Sequence, residues 1–169
     1  MIHLVTGGAR SGKSRLALTL AEAVAGPIDF IATAEAHDAD MAERIRNHRA
    51  ERGARYRTVE APVAVPEAVA ALPEGGAVVI DCLTLWCANL IFAGHDDDAI
   101  GASTAALVTA LKGRRRPTVV VTNEVGLGIV PGDALSRRYR DELGRMNQRL
   151  AAEADRVSLM VAGIALTLR

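Results

Sequence analysis

Gly7-Gly8-Ala9-Arg10-Ser11-Gly12-Lys13-Ser14 is the stretch on which the reading of this chain turns. It follows Leu4-Val5-Thr6, which reads as a short buried strand. It opens onto a helical segment predicted from about Lys13 to Val24, with Leu16, Leu20 and Val24 on one face. A strand running through Gly-x-x-x-x-Gly-Lys-Ser into a helix is the phosphate-binding loop of nucleoside-triphosphate enzymes. The residue types explain why. Glycines let the backbone fold around a phosphate chain, and the loop N–H groups with the helix N-terminus present partial positive charge to it. Lys13 is in place to reach the β- and γ-phosphates, and the Ser14 hydroxyl to ligate Mg²⁺. Gly7, Gly8, Ala9, Arg10, Ser11, Gly12, Lys13 and Ser14 are therefore predicted to bind ATP or GTP with Mg²⁺.

Beyond the loop, strands and helices alternate. Ile28 to Thr33 reads as a strand, Asp38 to Arg52 as a charged helix, Tyr56 to Glu60 as a strand and Val65 to Leu72 as a short helix. Ala77 to Asp81 is a strongly apolar strand. Thr84 to Phe92 and Ile100 to Leu111 read as helices separated by the polar loop His95-Asp96-Asp97-Asp98. A turn at Gly113-Arg114-Arg115-Arg116-Pro117, with the arginines in solvent, leads to a strand from Thr118 to Thr122. After a glycine-rich loop, Ala134 to Ala154 is the longest helix, and Val157–Val161 and Ile164–Leu168 are two closing strands split by Gly163. The alternation predicts an α/β fold, a doubly wound and mainly parallel twisted sheet with helices on both faces. The tight last turn predicts an antiparallel C-terminal edge. Residues 1–169 read as one domain, without repeat or linker.

Two further segments fall where such sheets bind ligands, at the carboxyl ends of their strands. Asp81 ends an apolar strand, so it is placed to hold Mg²⁺ directly or through water, or else to cap the next helix. Thr122-Asn123-Glu124-Val125-Gly126-Leu127-Gly128-Ile129-Val130-Pro131 follows another strand. Asn123 and Glu124 are positioned either to contact phosphate, magnesium-bound water or an acceptor, or simply to form a glycine turn. The Asn-Lys-x-Asp motif of guanine-reading switch proteins is missing from this segment.

Composition narrows the partners. With 20 basic and 20 acidic residues the net charge is zero, which gives no general attraction to nucleic acid or anionic membrane. Half of the residues are apolar but only 3% are aromatic, so the core must be built from Val, Ile, Leu and Ala, as in a parallel sheet covered on both faces. Cys82 and Cys87 fit neither a redox nor a zinc motif and read as reduced thiols. No signal peptide or membrane span is legible, which predicts a cytoplasmic protein.

Taken alone, His48, flanked by Arg44 and Arg52 at helical spacing, reads as a surface histidine. Neighbouring cations would keep its ring neutral and nucleophilic. The whole set of segments, however, resembles one family, the bifunctional adenosylcobinamide kinase and adenosylcobinamide-phosphate guanylyltransferase of cobalamin biosynthesis. The likeness is carried by Val5 to Arg15, Ile31-Ala32-Thr33-Ala34, Met41 to Ile45 with His48, Arg57-Thr58-Val59-Glu60, Asp81-Cys82-Leu83-Thr84 and Asn89-Leu90. It continues through Thr122 to Pro131, Tyr139-Arg140-Asp141 and Asn147 to Ala151, and so spans the chain. Tyr56 and Cys87-Ala88 depart from the more usual residues of that family.

The resemblance implies a RecA-like core, homotrimeric assembly and two activities. One is phosphorylation of adenosylcobinamide at the hydroxyl of its aminopropanol arm. The other is guanylylation of an enzyme histidine by GTP, followed by transfer of GMP to adenosylcobinamide phosphate. It implies His48 as the guanylylated residue, Lys13 as catalytic, and nucleotide contacts at Ala32, Thr33, Ala34, Arg49, Ala50, Glu51, Arg52, Glu60 and Asp81 as well as the loop. The competing expectations are a small-molecule kinase of the same fold without guanylyl transfer, and a nucleotide-gated binding protein that turns over no small molecule.

Overall fold

The computed structural model describes residues 1–35, 43 and 53–169. The helix predicted over Asp38–Arg52 therefore lies outside the described residues, Glu43 excepted. In chain order the elements are β1 (Ile2–Gly7), α1 (Lys13–Glu22), β2 (Ile28–Ala32), β3 (Tyr56–Glu60), α2 (Val65–Ala71), β4 (Ala77–Asp81), α3 (Leu83–Phe92), α4 (Asp97–Lys112), β5 (Thr118–Val121), α5 (Ala134–Glu153), β6 (Arg156–Val161) and β7 (Ile164–Thr167). The seven strands form one sheet in the order β3-β2-β4-β5-β1-β6-β7. Every neighbouring pair is parallel except β6–β7, the antiparallel edge expected from the tight turn at Gly163.

The central strands are apolar because both their faces are covered. Thr118-Val119-Val120-Val121 is buried at every position, as are the first four residues of β4. Successive side chains alternate between two cores. One holds Leu4, Ile31, Val78, Ile80 and Val120 against α2, α3, α4 and α5. The other holds Val5, Phe30, Val79, Val119 and Val121 against α1. Among the described residues the sheet is thus doubly wound but lopsided, four helices facing one.

One local expectation is refined and two change. The fully buried line of α1 is Lys13, Ala17 and Ala21 rather than the leucines, and Leu16 and Leu20 pack beside it. Small alanines let the helix lie close to the sheet while the leucines fill the gaps. The acidic run expected as loop starts a helix instead. Asp96 accepts a hydrogen bond from the Ala99 amide (2.8 Å), and Asp97 and Asp98 occupy the first turn of α4, where negative charge is favoured. Arg114 is buried, with its guanidinium directed at the Pro73 carbonyl (3.5 Å), whereas Arg115 and Arg116 are exposed or nearly so.

Topology places the site. β1 leads into α1 on one face, and the neighbouring β5 leads into α5 on the other. Connections that diverge from adjacent parallel strands leave a crevice at their carboxyl ends, the usual ligand position in open α/β sheets.

Candidate active site

The phosphate loop occupies one wall of that crevice. Gly7 has φ +144°, and a Cβ there would stand 2.4 Å from the Met160 carbonyl oxygen of β6. Gly12, at φ +96°, caps α1 in the left-handed region without a side-chain hydrogen bond to the first turn. These are the two glycines that the loop's geometry requires, the first for close approach and the second for its dihedral. With no side chain capping α1, its leading N–H groups are presented to an incoming anion. The Ser11 hydroxyl is buried with no hydrogen-bond partner among the described residues. A phosphate oxygen is the kind of acceptor it lacks. The loop is braced on its outer side, where the Gly163 amide donates to the Ser11 carbonyl (3.1 Å).

Lys13 is 8% exposed, and its ammonium donates to the Gly8 carbonyl at 2.6 Å, folded back across the loop. Burial pushes its pKa below the usual lysine range, while the nearby Asp81 carboxylate works in the opposite direction. A buried ammonium held over unclaimed backbone donors is suited to spread phosphate charge. Asp81 is thereby brought into the same electrostatic neighbourhood as the loop, although it arrives from β4.

Strand register explains which other predicted residues gather here. Glu60, Ala32, Asp81, Val121 and Val5 form one continuous row across β3, β2, β4, β5 and β1. Glu60, Ala32 and Asp81 are at even spacing from core residues of the α1 face, so they share that face with Lys13. Asp81 stands two strand spacings, about 10 Å, from β1, whereas Glu60 stands four spacings, about 19 Å, away. Asp81 is therefore within reach of the phosphate end and Glu60 is not. Ser14 and Asp81, a hydroxyl and a carboxylate, are hard oxygen donors of the kind Mg²⁺ selects. His48, Arg49, Ala50, Glu51 and Arg52 lie outside the described residues.

The loop after β2 is held by buried hydrogen bonds. The Thr33 hydroxyl donates to the Cys82 carbonyl and accepts from the Cys82 amide, both at 2.8 Å, and the Thr33 amide donates to the Asp81 carbonyl at 3.3 Å. Asn89 of α3 donates to the carbonyls of Thr33 (2.8 Å) and Pro62 (2.9 Å). Ala32-Thr33-Ala34 is in this way fixed to the end of β4, beside Asp81. Burial raises Cys82, and it pushes Cys87 up to about 12, leaving that sulfur protonated at neutral pH.

A matching network holds the opposite wall. Asn147 of α5 accepts from the Thr122 hydroxyl (2.7 Å) and donates to the Asn123 carbonyl (3.0 Å). The Asn123 amide donates to the Thr84 hydroxyl (3.0 Å), and the Glu124 amide donates to the Gly7 carbonyl (3.1 Å). The segment is thus more than a glycine turn, being stitched directly to the first residue of the phosphate loop. The Glu124 carboxylate accepts from the Gly126 amide at 2.6 Å. Reading the residues singly gave Asn89 and Asn147 no role. For Asn89 the signal was a lone amide inside the apolar Leu83–Phe92; Asn147, next to Gln148 in a polar stretch, carried only its position four residues after buried Leu143. Amides of this kind satisfy polar groups that helix and sheet leave over.

Among the described residues no cluster of His, Cys, Asp and Glu is arranged to hold a metal by itself, and no helix is long and apolar enough to cross a membrane. A magnesium ion here would need the nucleotide's own oxygens beside Ser14 and Asp81.

Comparison with known proteins agrees with this geometry. A family model described as cobinamide kinase / cobinamide phosphate guanyltransferase matches residues 3–168. A bifunctional adenosylcobalamin biosynthesis protein of Pseudomonas aeruginosa is 42% identical over 170 residues, covering 100% of this chain and 98% of its own. Proteins of the same description from Salmonella typhimurium and Escherichia coli are each 41% identical over 185 residues, with both chains covered in full. Among solved structures, a KaiC-like protein of Pyrococcus horikoshii superposes with a TM-score of 0.55 over 94% of this chain and 69% of its own, at 18% identity. That last likeness speaks for the fold alone.

Proposed function

The chain belongs to the cobinamide kinase / cobinamide phosphate guanyltransferase family, and on that premise we propose how its residues divide the two reactions. It is a bifunctional transferase of adenosylcobalamin biosynthesis, and the kinase-only and binding-protein readings fall away. The observation that carries the assignment of chemistry is the buried Lys13 ammonium over an uncapped helix start, with Asp81 beside it.

Both reactions are attacks on phosphorus within one triphosphate. In the first, the hydroxyl of the acceptor's aminopropanol arm attacks the γ-phosphorus of ATP or GTP, the bond to the β-bridging oxygen breaks, and the hydroxyl proton is lost to solvent or a base. In the second, a nitrogen of neutral His48 attacks the α-phosphorus of GTP. Pyrophosphate leaves, and a phosphate oxygen of the phosphorylated acceptor then displaces histidine from the P–N bond. Charge accumulates on β- and γ-oxygens in both reactions, so Lys13, Ser11 and the amides of residues 7–14 serve both. Ser14 and Asp81 would hold Mg²⁺, which when bound supplies further neutralisation of the phosphate oxygens. Ala32, Thr33 and Ala34, with Arg49, Ala50, Glu51 and Arg52, complete the nucleotide's surroundings, and Glu60 acts far from the phosphates, at the nucleoside end. The protein works in the cytoplasm, without nucleic acid. Its apolar β7 edge, with Ile164, Leu166 and Leu168 exposed, suits packing against further copies in a homotrimer.

Incubation with α-³²P GTP, followed by mapping of the labelled residue, tests this reading. Covalent, acid-labile label on His48 is expected, with its loss in His48→Ala and retention of much of the kinase activity. Undiminished labelling of His48→Ala would remove His48 from the nucleophile's role.

A further inference from the structure

We propose that the exposed apolar stretch Leu127–Val130 is the seat of the acceptor's corrin ring. Leu127, Ile129 and Val130 are 87%, 98% and 60% exposed, three bare aliphatic side chains within four consecutive positions of the loop between β5 and α5. This loop is not a loose one. Thr84, Asn147 and Gly7 hold its start. At its end Arg137 donates to the carbonyls of Pro131 (2.9 Å) and Gly132 (2.7 Å), and Asp133 caps α5 through the Ser136 amide (2.8 Å). The apolar middle is therefore held out into solvent between two anchored ends.

The glycines between these side chains give an independent observation. Neither Gly126 nor Gly128 lies in the positive-φ region. A Cβ at Gly128 would meet nothing within 4 Å, and at Gly126 it would meet only the tip of the Glu124 side chain. The local fold does not require glycine at either place. The Gly126 amide is already taken by the Glu124 carboxylate (2.6 Å), so what glycine leaves is bare backbone at Gly128, open to a ligand that needs an amide hydrogen bond as well as apolar contact.

The acceptor's chemistry answers both requirements. Cobinamide is a broad macrocycle with a methyl-bearing rim and carboxamide arms, and its reacting hydroxyl sits on a short arm away from the ring. An enzyme that phosphorylates that hydroxyl must hold the ring beside, not within, the phosphate crevice. Leu127–Val130 meets that condition, because its loop starts with the Glu124–Gly7 hydrogen bond and extends outward from it. The other exposed apolar stretch, β7, is an edge strand with unpaired backbone groups and lies on the opposite side of the phosphate loop, beside β6.

The seat rests on the cobinamide activity of the family. Its test is the double variant Leu127→Ser/Ile129→Ser, with Gly128→Val as a second probe, in steady-state phosphorylation of cobinamide at saturating ATP. Binding of a fluorescent GTP analogue and sedimentation velocity accompany it. Losing two aliphatic contacts should raise KM for cobinamide about tenfold or more. With only ground-state binding removed, kcat should stay within about twofold. Nucleotide affinity and sedimentation should match wild type. An unchanged KM overturns the seat. So does weakened self-association, which would make the patch a subunit contact, and so does weakened nucleotide binding, which would assign it to GTP. A wild-type chain inactive on cobinamide overturns the functional reading and the seat together, whereas an active wild type with an unaffected variant overturns the seat alone.

Discussion

The crevice has two walls of opposite character. The phosphate loop, residues 7–14, is closed in on itself: Lys13 is buried and folded onto Gly8, Gly7 presses against β6, and Ser11 is enclosed. The loop after β5 is fixed only at its ends and leaves its apolar middle in solvent. A triphosphate is the same chain of charge in every nucleotide, so its cradle can be built in advance from rigid backbone, at no reorganisation cost during reaction. A bulky acceptor that must enter and leave requires an open surface instead. The contrast is between a wall closed by its own hydrogen bonds and packing and a wall whose aliphatic side chains stay in solvent.

Removing the ammonium that defines the first wall should have the largest effect. Lys13→Ala is expected to lower kcat/KM of both phosphorylation and guanylylation by roughly two to three orders of magnitude. Either activity surviving near the wild-type rate would show that the two reactions do not share the loop. Gly7→Ala addresses the rigidity of the same wall. Its Cβ would collide with the Met160 carbonyl at 2.4 Å, and a loss of about 2–4 kcal/mol in urea unfolding is expected. A loss under about 1 kcal/mol would mean that the loop yields easily, erasing the contrast.

Asn147→Leu strips the anchor from the second wall. Leaving the Thr122 hydroxyl and Asn123 carbonyl without it should cost about 1–3 kcal/mol. Because Asn123 and Glu124 would lose their register against Gly7, KM for cobinamide should rise while GTP affinity is spared. A fall in both affinities to the same degree would make Asn147 a support of the whole edge.

A smaller effect comes from beneath the site. The His3 imidazole shares a 2.8 Å hydrogen bond with Ser158, and burial, assisted by Arg156, lowers its pKa. A base with a depressed folded pKa binds fewer protons folded than unfolded. Its contribution is intact above the ordinary imidazole value of about 6.5 and is lost as pH falls from there through the folded value. Wild type should lose stability between neutral and mildly acid pH, and His3→Gln should lose less over the same interval. Equal losses would show that other groups carry the acid sensitivity. Smallest of all, Leu127→Ser/Ile129→Ser should leave unfolding free energy within about 0.5 kcal/mol of wild type, since both side chains are already in water.

Part of this candidate site is legible in the sequence. The Gly-x-x-x-x-Gly-Lys-Ser spacing specified the phosphate loop, because backbone conformation and anion binding there depend on residues adjacent in sequence. Asp81 was legible as a carboxylate ending an apolar strand. Asn89 and Asn147 were not, since the groups they satisfy lie 56, 27, 25 and 24 positions away in the chain. Local pattern cannot announce a partner that only folding brings near. Leu16, Leu20 and Val24 do pack against the α1-side core, as their spacing implies, but the order of approach to the sheet is not legible in it. Periodicity finds the apolar residues, but the closeness of helix and sheet decides that Ala17 and Ala21, not the larger leucines, meet the sheet first.

The sequence by itself determined that residues 7–14 form a glycine-rich strand-to-helix loop of the phosphate-binding pattern, that the sheet is mainly parallel with an antiparallel last pair, and which family the chain resembles. Each of these rests on residue type and short spacing. Only the tertiary structure decided that Asp81 comes within electrostatic reach of Lys13 while Glu60, in the same row, stands two strands farther off. Only it decided that the segment after β5 is tied to Gly7 with its aliphatic side chains turned outward. Strand order and register set those distances, and they follow from how the two cores close over the whole sheet rather than from any one stretch of chain.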